Sequence, residues 1–435
     1  MTLVRIGKID IRTRTALVTV ADRRAPATAQ LDTLFAGLPD PPQAAAELLV
    51  AAAGAYIADR SIHRPGKVGT DRWTRHITVQ VPVADPEGWP ADELAHLLQV
   101  LTNDRWTIEP YAHPPLEVGT VQQQMQFDEP DSCALFSAGL DSYAHAVTTY
   151  QQGGTPLLVG HFDMEALRGL QQRAARAAHV VSAGGARGAP LLRQMRVATV
   201  PALYAGRNPE ISSRSRGLLF AAAGVAVAAA AGLTTLNIAE NGFVALNTPL
   251  TAARAGALST RSTHPHLLDL LQRLLVRLGV DVKVSNPLLY ATKGEVTRAA
   301  LAAGDAALAG TISCGHPISA RWQGDARYMN CGYCYPCLVR RSGIESVLDG
   351  TDPTTYRHDP RTDTELLTAG SHADLFAIVA ALGREPHPLD VLTVAPLPAE
   401  VDRTRLHDMR IRSHAELRDM LSNGMVLAIR TRLGL

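Results

Sequence analysis

A short apolar segment that runs into a turn of small residues, and then into a helix, restricts the possible folds of this chain more than any other feature does. The apolar segment is Cys133–Phe136, the turn contains Ser137, Ala138 and Gly139, and the helix is expected to begin near Asp141. Small residues let backbone N–H groups gather around an anion, and the positive end of the helix dipole faces the same point. The pattern predicts a buried strand followed by a phosphate-binding loop. A plain strand–turn–helix connection with an N-cap is the alternative.

Further apolar runs follow at Leu157–His161, Met195–Val200 and Leu236–Ala239, and helical stretches separate them. Strands that alternate with helices are typical of an α/β fold with a doubly wound parallel sheet. Ligands of such folds bind beyond the carboxyl ends of the strands. We therefore expect the loop after Phe136 to belong to the functional site.

The length of 435 residues exceeds the roughly 250–300 residues that one hydrophobic core supports, so we expect several domains. Residues 1–128 are predicted to form an α+β docking domain, in which Leu3–Ile11 and Thr15–Ala21 pair as a hairpin. Residues 129–345 are predicted to form the catalytic domain, and residues 346–435 a helical extension.

Four of the five cysteines lie close together in the sequence, at positions 314, 331, 334 and 337. This spacing is typical of a metal site in a reducing compartment rather than of a disulfide framework. A tetrahedral set of four thiolates suits structural Zn²⁺, while an iron–sulfur cluster and unligated thiols are the alternatives. We predict a zinc site made by Cys314, Cys331, Cys334 and Cys337, and we interpret Cys133 as a small buried apolar residue.

The charge balance bears on the partners and the location of the protein. Lysine and arginine number 42 against 41 aspartates and glutamates, so the basic excess usual in nucleic-acid-binding proteins is missing. The most apolar stretch, Leu218–Leu233, is shorter than the roughly 20 residues of a membrane-spanning helix, and the N-terminus does not resemble a signal peptide. We expect a cytoplasmic protein that binds neither membranes nor, directly, nucleic acid.

The loop itself departs from the Walker A pattern, which ends in Gly-Lys-Ser/Thr. It resembles the Ser-Gly-Gly-x-Asp-Ser loop of the PP-loop ATP pyrophosphatases, which cleave ATP between the α and β phosphates. Ala138 occupies a position where that family usually has glycine. Asp141 is expected either to bind Mg²⁺ or to cap the helix.

The loop and the cysteine cluster together resemble the 7-cyano-7-deazaguanine synthases, also called QueC. Three further segments fit this family: His161-Phe162-Asp163, Thr292-Lys293-Gly294-Glu295 and Ser313-Cys314. The resemblance covers roughly residues 130–345. It implies a PP-loop fold of the adenine nucleotide α-hydrolase type, in which the zinc site staples a helical C-terminal region.

The resemblance also implies roles for individual residues. ATP and Mg²⁺ are the expected ligands, and Lys293 is expected on the anionic side of the site together with two arginines, for which a solvated helix start is the alternative reading. The expected catalytic residues are Ser137, Asp141, Ser142 and Lys293. The residues expected to contact ATP are Phe136, Ser137, Ala138, Gly139, Leu140, Asp141, Ser142, His161, Phe162, Asp163, Arg214 and Arg216.

One segment of the family, of the type Asn-x-x-Asp-x-Ser-Gly-Tyr-Pro-Asp, is missing from this chain, and different polar residues stand in its place. We expect them to recognise a deazaguanine base or to receive an amine, with an ordinary polar loop as the alternative. The residues predicted for this role are Glu240, Asn241, Asn247, Arg254, Arg261 and His264.

This replacement and the long terminal extensions resemble the QueC-like protein of the four-gene Qat anti-phage system. That resemblance implies an enzyme that adenylates 7-carboxy-7-deazaguanine and transfers it to an amine on a partner protein from the same defence operon. A housekeeping nitrile synthase that uses ammonia is the second hypothesis, and a catalytically idle binding scaffold is the third.

Overall fold

The structure is a computed structural model that describes residues 2–10, 14–21, 23–64, 74–118, 129–185, 188–204, 208–210, 213–250, 261–315, 328–363, 366, 373–421 and 431. The strands within these ranges are β1 (Thr2–Asp10), β2 (Thr15–Val20), β3 (Arg23–Gln30), β4 (His76–Val83), β5 (Arg105–Ala112), β6 (Ser132–Leu135), β7 (Pro156–His161), β8 (Leu192–Ala198), β9 (Thr235–Asn237) and β10 (Lys283–Ser285).

The helices are α1 (Gln43–Ser61), α2 (Ala91–Thr102), α3 (Leu140–Gln151), α4 (Glu165–His179), α5 (Arg216–Ala230), α6 (Gly242–Leu246), α7 (Pro265–Arg277), α8 (Lys293–Ala300), α9 (Asp305–Ala309), α10 (Tyr335–Glu345), α11 (Ala373–Leu382) and α12 (Arg403–Met420). None of the described helices combines the length and the apolar character needed to cross a lipid bilayer.

The strands form one sheet in the order β10-β9-β6-β7-β8-β3-β2-β1-β4-β5. Strands β6 to β10 all pair parallel with one another. The chain builds outward from β6 through β7 and β8, and then crosses back to add β9 and β10 on the other side of β6. The predicted doubly wound parallel sheet is therefore confirmed for this half, and its topological switch point lies between β6 and β9.

Both faces of this parallel half are covered by helices. On β6, Cys133 points into a core that includes residues of α1, α5 and α7. Ala134, the next residue, points into a second core with residues of α3, α4 and α8. Successive side chains of a strand face opposite sides of the sheet, so the uninterrupted apolar run at β6 reflects burial on both faces.

The N-terminal strands extend the same sheet. The predicted hairpin of β1 and β2 is confirmed, and its strands pair antiparallel from Val4 opposite Val20 to Asp10 opposite Thr15. The strand β3 then pairs antiparallel with β8, from Thr28 opposite Ala198 to Gln30 opposite Arg196. The N-terminal region thus shares backbone hydrogen bonds with the predicted catalytic region.

The C-terminal helices α10 and α12 pack against α8 and α6, which follow strands β10 and β9. The described residues after Thr292 are mainly helical, and α10 contacts both α8 and α12. A Cβ atom on Gly343 of α10 would lie 2.5 Å from Cγ of Lys293, so only glycine permits this close approach of α10 to α8. This crossing fixes the backbone that carries Lys293.

Candidate functional site

The loop after β6 lies at the switch point, where ligands of doubly wound sheets bind. The helix α3 begins at Leu140, and its N-cap, Gly139, makes no side-chain capping bond. The first N–H groups of a helix lack intrahelical acceptors and attract anions. The hydroxyl groups of Ser137 and Ser142 lie 3.3 Å apart, and Ser137 is exposed. The loop therefore presents N–H and O–H donors at the positive end of a helix.

Ala138 has a left-handed backbone conformation, with φ of 63°. In this region a Cβ atom approaches the following carbonyl group, which costs about 1–2 kcal/mol relative to glycine. The carbonyl oxygen of Ala138 accepts a hydrogen bond from the Ile312 N–H at 3.0 Å. The surrounding structure thus holds the turn in a conformation that glycine adopts more easily, as expected from the glycine of the PP-loop family.

Asp141 forms a buried ion pair with Lys293. The Lys293 ammonium group donates to both carboxylate oxygens of Asp141, at 2.8 and 2.7 Å. The Asn241 side-chain amide donates to Oδ2 of Asp141 at 3.0 Å. Burial by itself would raise the pKa of Asp141, but the Lys293 charge and these hydrogen bonds hold it below its usual value. Three predicted site residues from three separate segments therefore meet at one carboxylate.

These contacts revise the predicted role of Asp141. The alternative in which it caps α3 is wrong, because the helix has no side-chain cap. Both carboxylate oxygens accept hydrogen bonds from protein groups, and the alternative in which Asp141 binds Mg²⁺ remains a prediction.

The Glu240 carboxyl group lies close to that of Asp141. Burial and the negative charge of Asp141 raise the pKa of Glu240 well above its ordinary value. The raised pKa of Glu240 favours its neutral form beside the ionised Asp141. The Glu240 backbone is held by Asn286, whose side-chain amide donates to the Glu240 carbonyl at 2.8 Å and accepts from its N–H at 3.2 Å.

The segment that leads into the cysteine cluster docks against the loop. Ser313 Oγ accepts from the Leu140 N–H at 3.3 Å, next to the bond between Ile312 and Ala138. Asn330, which directly precedes Cys331, accepts from the Ser313 N–H at 3.1 Å. The cysteine cluster and the loop are thus joined through only a few residues.

The four predicted metal ligands converge. All four Sγ atoms lie within 4.8 Å of one another. The Cys314 and Cys334 sulfurs are 3.9 Å apart, and those of Cys331 and Cys337 are 3.8 Å apart. Tetrahedral Zn²⁺ with Zn–S bonds of about 2.3 Å requires sulfur separations of about 3.8 Å. The donor set and its spacing therefore fit one zinc ion with a structural role.

The turn inside the cluster depends on Gly332. This residue has φ of 91°, and a Cβ atom there would lie 1.9 Å from the carbonyl oxygen of His358. The N–H of Cys334 also donates to the Cys331 sulfur at 3.4 Å, as expected for thiolates that attract backbone donors. A glycine at this position is what lets three cysteines at i, i+3 and i+6 face one point.

Several residues predicted to contact ATP lie at the carboxyl end of β7 and at the start of α5. The imidazole of His161 is buried, and burial lowers its pKa to about 4, so it is neutral at pH 7. Phe162 is also buried, whereas Arg216 is exposed, with its guanidinium group 5.6 Å from the Phe220 ring centre. Arg214 points elsewhere: it is buried and donates to the Thr102 carbonyl at 3.3 Å. Arg216 is therefore the arginine available to an anion.

The residues predicted to bind the base are dispersed. Arg261 donates to Val100 O and Asn103 Oδ1 at the end of α2. His264 is the N-cap of α7, where its Nδ1 accepts from the His266 N–H. Asn247 ends α6 in a left-handed conformation, and Arg254 lies outside the described residues. Among the described members of this set, only Glu240 and Asn241 lie next to Asp141. The side-chain amide of Asn241 is bonded at both ends, because its Nδ2 donates to Asp141 and its Oδ1 accepts from Val244 N.

One residue that sequence reasoning missed accepts hydrogen bonds from the two neighbours of Lys293 in the chain. Glu416 of α12 accepts hydrogen bonds from Gly294 N at 3.2 Å and from the Thr292 hydroxyl, at the N-terminus of α8. Thr292 and Glu295 form a capping box there. A carboxylate at a helix N-terminus is stabilising. No local sequence signal links position 416 to position 293, because the contact spans more than 120 residues.

Comparison with known proteins gives a partial match. Two relatives are 36% identical to this chain over 93 residues, namely the 7-cyano-7-deazaguanine synthases of Cupriavidus taiwanensis and Cupriavidus necator. The match covers 20% of this chain and 37% of each relative, so the chain spans little more than a third of their length. No family model matches the chain. The similarity supports a QueC-like relationship over that segment.

Proposed function

We propose that this protein is an ATP-dependent, QueC-like enzyme that adenylates the carboxylate of 7-carboxy-7-deazaguanine and releases pyrophosphate. The observation that carries the proposal is the buried ion pair between Asp141, in the first turn of α3, and Lys293, at the start of α8. A lysine ammonium group has three N–H donors. Two of them are directed at Asp141. We assign the remaining donor to a phosphate oxygen of ATP.

In this proposal the loop and nearby cations neutralise the charge of the pyrophosphate as it leaves. The N–H groups at the start of α3 and the exposed Arg216 are the other donors. Donors held in place before the reaction stabilise developing charge without reorganisation. Mg²⁺ would enter on the phosphates of ATP, where it commonly keeps several waters. The zinc site would hold Ser313 and Ile312 against the loop.

The proposed reaction has two steps. A carboxylate oxygen of the substrate attacks the α-phosphorus, and the bond to the β-phosphate breaks with release of pyrophosphate. The nitrogen of an amine then attacks the activated carbonyl carbon, AMP leaves and the nitrogen loses a proton. The enzyme contributes mainly by orienting the two reactants and by stabilising the charge.

We propose further that the amine belongs to a partner protein of an anti-phage system of the Qat type. This finer proposal is supported by the replacement of the family's Asn-x-x-Asp-x-Ser-Gly-Tyr-Pro-Asp segment with Glu240-Asn241-Gly242. The alternative nucleophile is ammonia, which a housekeeping nitrile synthase would use. Only the ammonia route would give a free amide or nitrile as the product.

The test is incubation of the purified protein with ATP, 7-carboxy-7-deazaguanine and either ammonium ions or the products of neighbouring genes, followed by mass spectrometry. We expect a neighbouring protein to gain the mass of the deazaguanine acyl group. Efficient formation of free nitrile from ammonia, with no mass added to any protein, would favour the housekeeping function. Recovery of unchanged substrate under all conditions would contradict both.

A further inference from the structure

Near its C-terminal end, the N-terminal helix α1 lies next to the carboxyl end of β7. It packs along α5, and its residue Tyr56 faces His161 at the end of β7. The helix α5 connects β8 to β9, so its first turn lies at the same edge as the loop after β6. Side chains from the N-terminal region therefore reach the edge where we propose that ATP binds.

Asp59 holds the first turn of α5 in place. It is fully buried, and its Oδ2 accepts hydrogen bonds from Ser215 N at 3.0 Å and Ser215 Oγ at 2.7 Å. Its other oxygen accepts from Arg75 Nη2 at 2.5 Å. Ser215 immediately precedes the exposed Arg216. The hydrogen bonds from Ser215 to Asp59 therefore fix the backbone from which the Arg216 side chain extends.

Tyr56 lies one turn before Asp59 on the same helix. Its ring centre is 6.0 Å from that of His161, at an interplanar angle of 72°. Phe220 lies on another side of His161, with ring centres 5.1 Å apart. Three rings from three elements thus form one aromatic wall, and aromatic rings are the surfaces on which nucleobases stack.

A buried acceptor beside this wall has no partner among the described residues. Oδ1 of Asp163 is inaccessible to solvent and accepts no hydrogen bond there. Asp163 follows His161 by two residues at the carboxyl end of β7, so it lies near the wall. A buried acceptor without a donor is costly unless a ligand supplies one. The exocyclic amino group of adenine is such a donor, whereas guanine presents a carbonyl oxygen at the same position.

We propose that α1 is part of the nucleotide site, with Tyr56 contacting the adenine base and Asp59 acting as a positioning residue for Arg216. The inference rests on the proposed ATP-dependent function. It makes the N-terminal region a component of the nucleotide site as well as a candidate docking domain, and it predicts selection of adenine over guanine nucleotides.

The experiment measures binding of the α,β-methylene analogue of ATP by calorimetry and KM and kcat for ATP, in the full-length protein. Tyr56→Ala should weaken analogue binding and raise KM about tenfold, because one base–aromatic contact is lost, with kcat changed less than twofold. Tyr56→Phe keeps the ring and should weaken analogue binding less than Tyr56→Ala does. Ser215→Ala removes one bond to Asp59 and should raise KM by a smaller factor, about threefold. Wild-type protein should bind the guanine analogue at least tenfold more weakly.

Tyr111→Ala is the matched control, because this tyrosine is also in the N-terminal region but lies on β5, at the far edge of the sheet. It should leave KM and analogue binding unchanged. Equal analogue binding by wild type, Tyr56→Ala and Tyr111→Ala, with all three folded, would overturn the inference while leaving the proposed reaction standing. Analogue binding that depends on Tyr56, in a protein that never releases pyrophosphate, would instead support the inference and contradict the proposed reaction. If Tyr56→Ala does not fold, Ser215→Ala and the adenine-to-guanine comparison decide.

Discussion

The loop site and the cysteine cluster are both buried groups of acidic side chains, and they differ in how their negative charge is balanced. At the loop, Lys293 and Asn241 already donate hydrogen bonds to Asp141. At the cluster, the recorded donors to sulfur are backbone N–H groups and neighbouring thiols. The loop site is therefore complete as folded protein, whereas four converging thiolates require a cation from solution. The loop site can form before a substrate binds, whereas metal binding at the cysteine cluster is coupled to folding.

The largest effect should come from the cysteine cluster. Cys337→Ala should lower the free energy of unfolding by several kcal/mol and reduce bound zinc, because metal binding contributes directly to folding. The measurement is zinc per chain by elemental analysis together with denaturant unfolding. Cys133→Ala is the matched control: Cys133 is buried on β6, where burial raises the pKa of its thiol to about 12. It should keep its zinc and lose only about 1 kcal/mol. Pure wild-type protein with neither zinc nor iron would remove the contrast between the two regions.

The next largest effect is expected at the buried ion pair of Lys293 and Asp141. Lys293→Met should cost about 3–5 kcal/mol, because it leaves the Asp141 carboxylate buried without its counter-charge. Asp141→Asn added to Lys293→Met removes that charge and should recover most of the stability, but not the activity. Denaturant unfolding and pyrophosphate release measure the two properties separately. A single Lys293→Met variant with wild-type stability and activity would show that the pair is incidental.

The pH dependence of the protein's stability tests the raised pKa of Glu240. Its folded pKa is raised, so between the ordinary pKa and the raised one the folded state keeps a proton that the unfolded state has lost. Its contribution to stability is present below the ordinary pKa and is lost as the pH rises through the folded pKa. Glu240→Gln mimics the protonated acid, so its Tm advantage over the wild type should grow from pH 5 to pH 8. A constant Tm difference would mean that Glu240 does not bind a proton in the folded state.

The smallest effect is at Ala138. Ala138→Gly should stabilise the protein by about 1 kcal/mol, because glycine adopts the left-handed conformation without steric cost. Ala134→Gly on β6 is the matched control and should destabilise, since Ala134 is a buried strand residue whose methyl group packs in the core. Urea unfolding measures both variants, and destabilisation by Ala138→Gly would show that the turn is not strained.

Much of this arrangement followed from local patterns in the sequence. The apolar runs and the small-residue turn predicted the parallel half of the sheet, and the cysteine spacing predicted the convergence of the four sulfurs, because both depend on short-range periodicity. The pairing of β3 with β8 was not predicted, because antiparallel pairing between distant strands leaves no local signal. For the same reason the side chains of Glu416 and Asn330, which support the site from remote segments, were not identified. Lys293 was predicted to lie on the anionic side of the site, but its buried ion pair with Asp141 was not predicted.

The central claim is that the loop, with Lys293 held by Asp141, directs cleavage of ATP between its α and β phosphates. Phosphorus NMR of the zinc-loaded protein with ATP, Mg²⁺, 7-carboxy-7-deazaguanine and an amine tests it most directly. The account predicts AMP and pyrophosphate in equal amounts, with neither formed by the Asp141→Asn/Lys293→Met double variant. ADP and orthophosphate as the products, or undiminished turnover by the double variant, would contradict it.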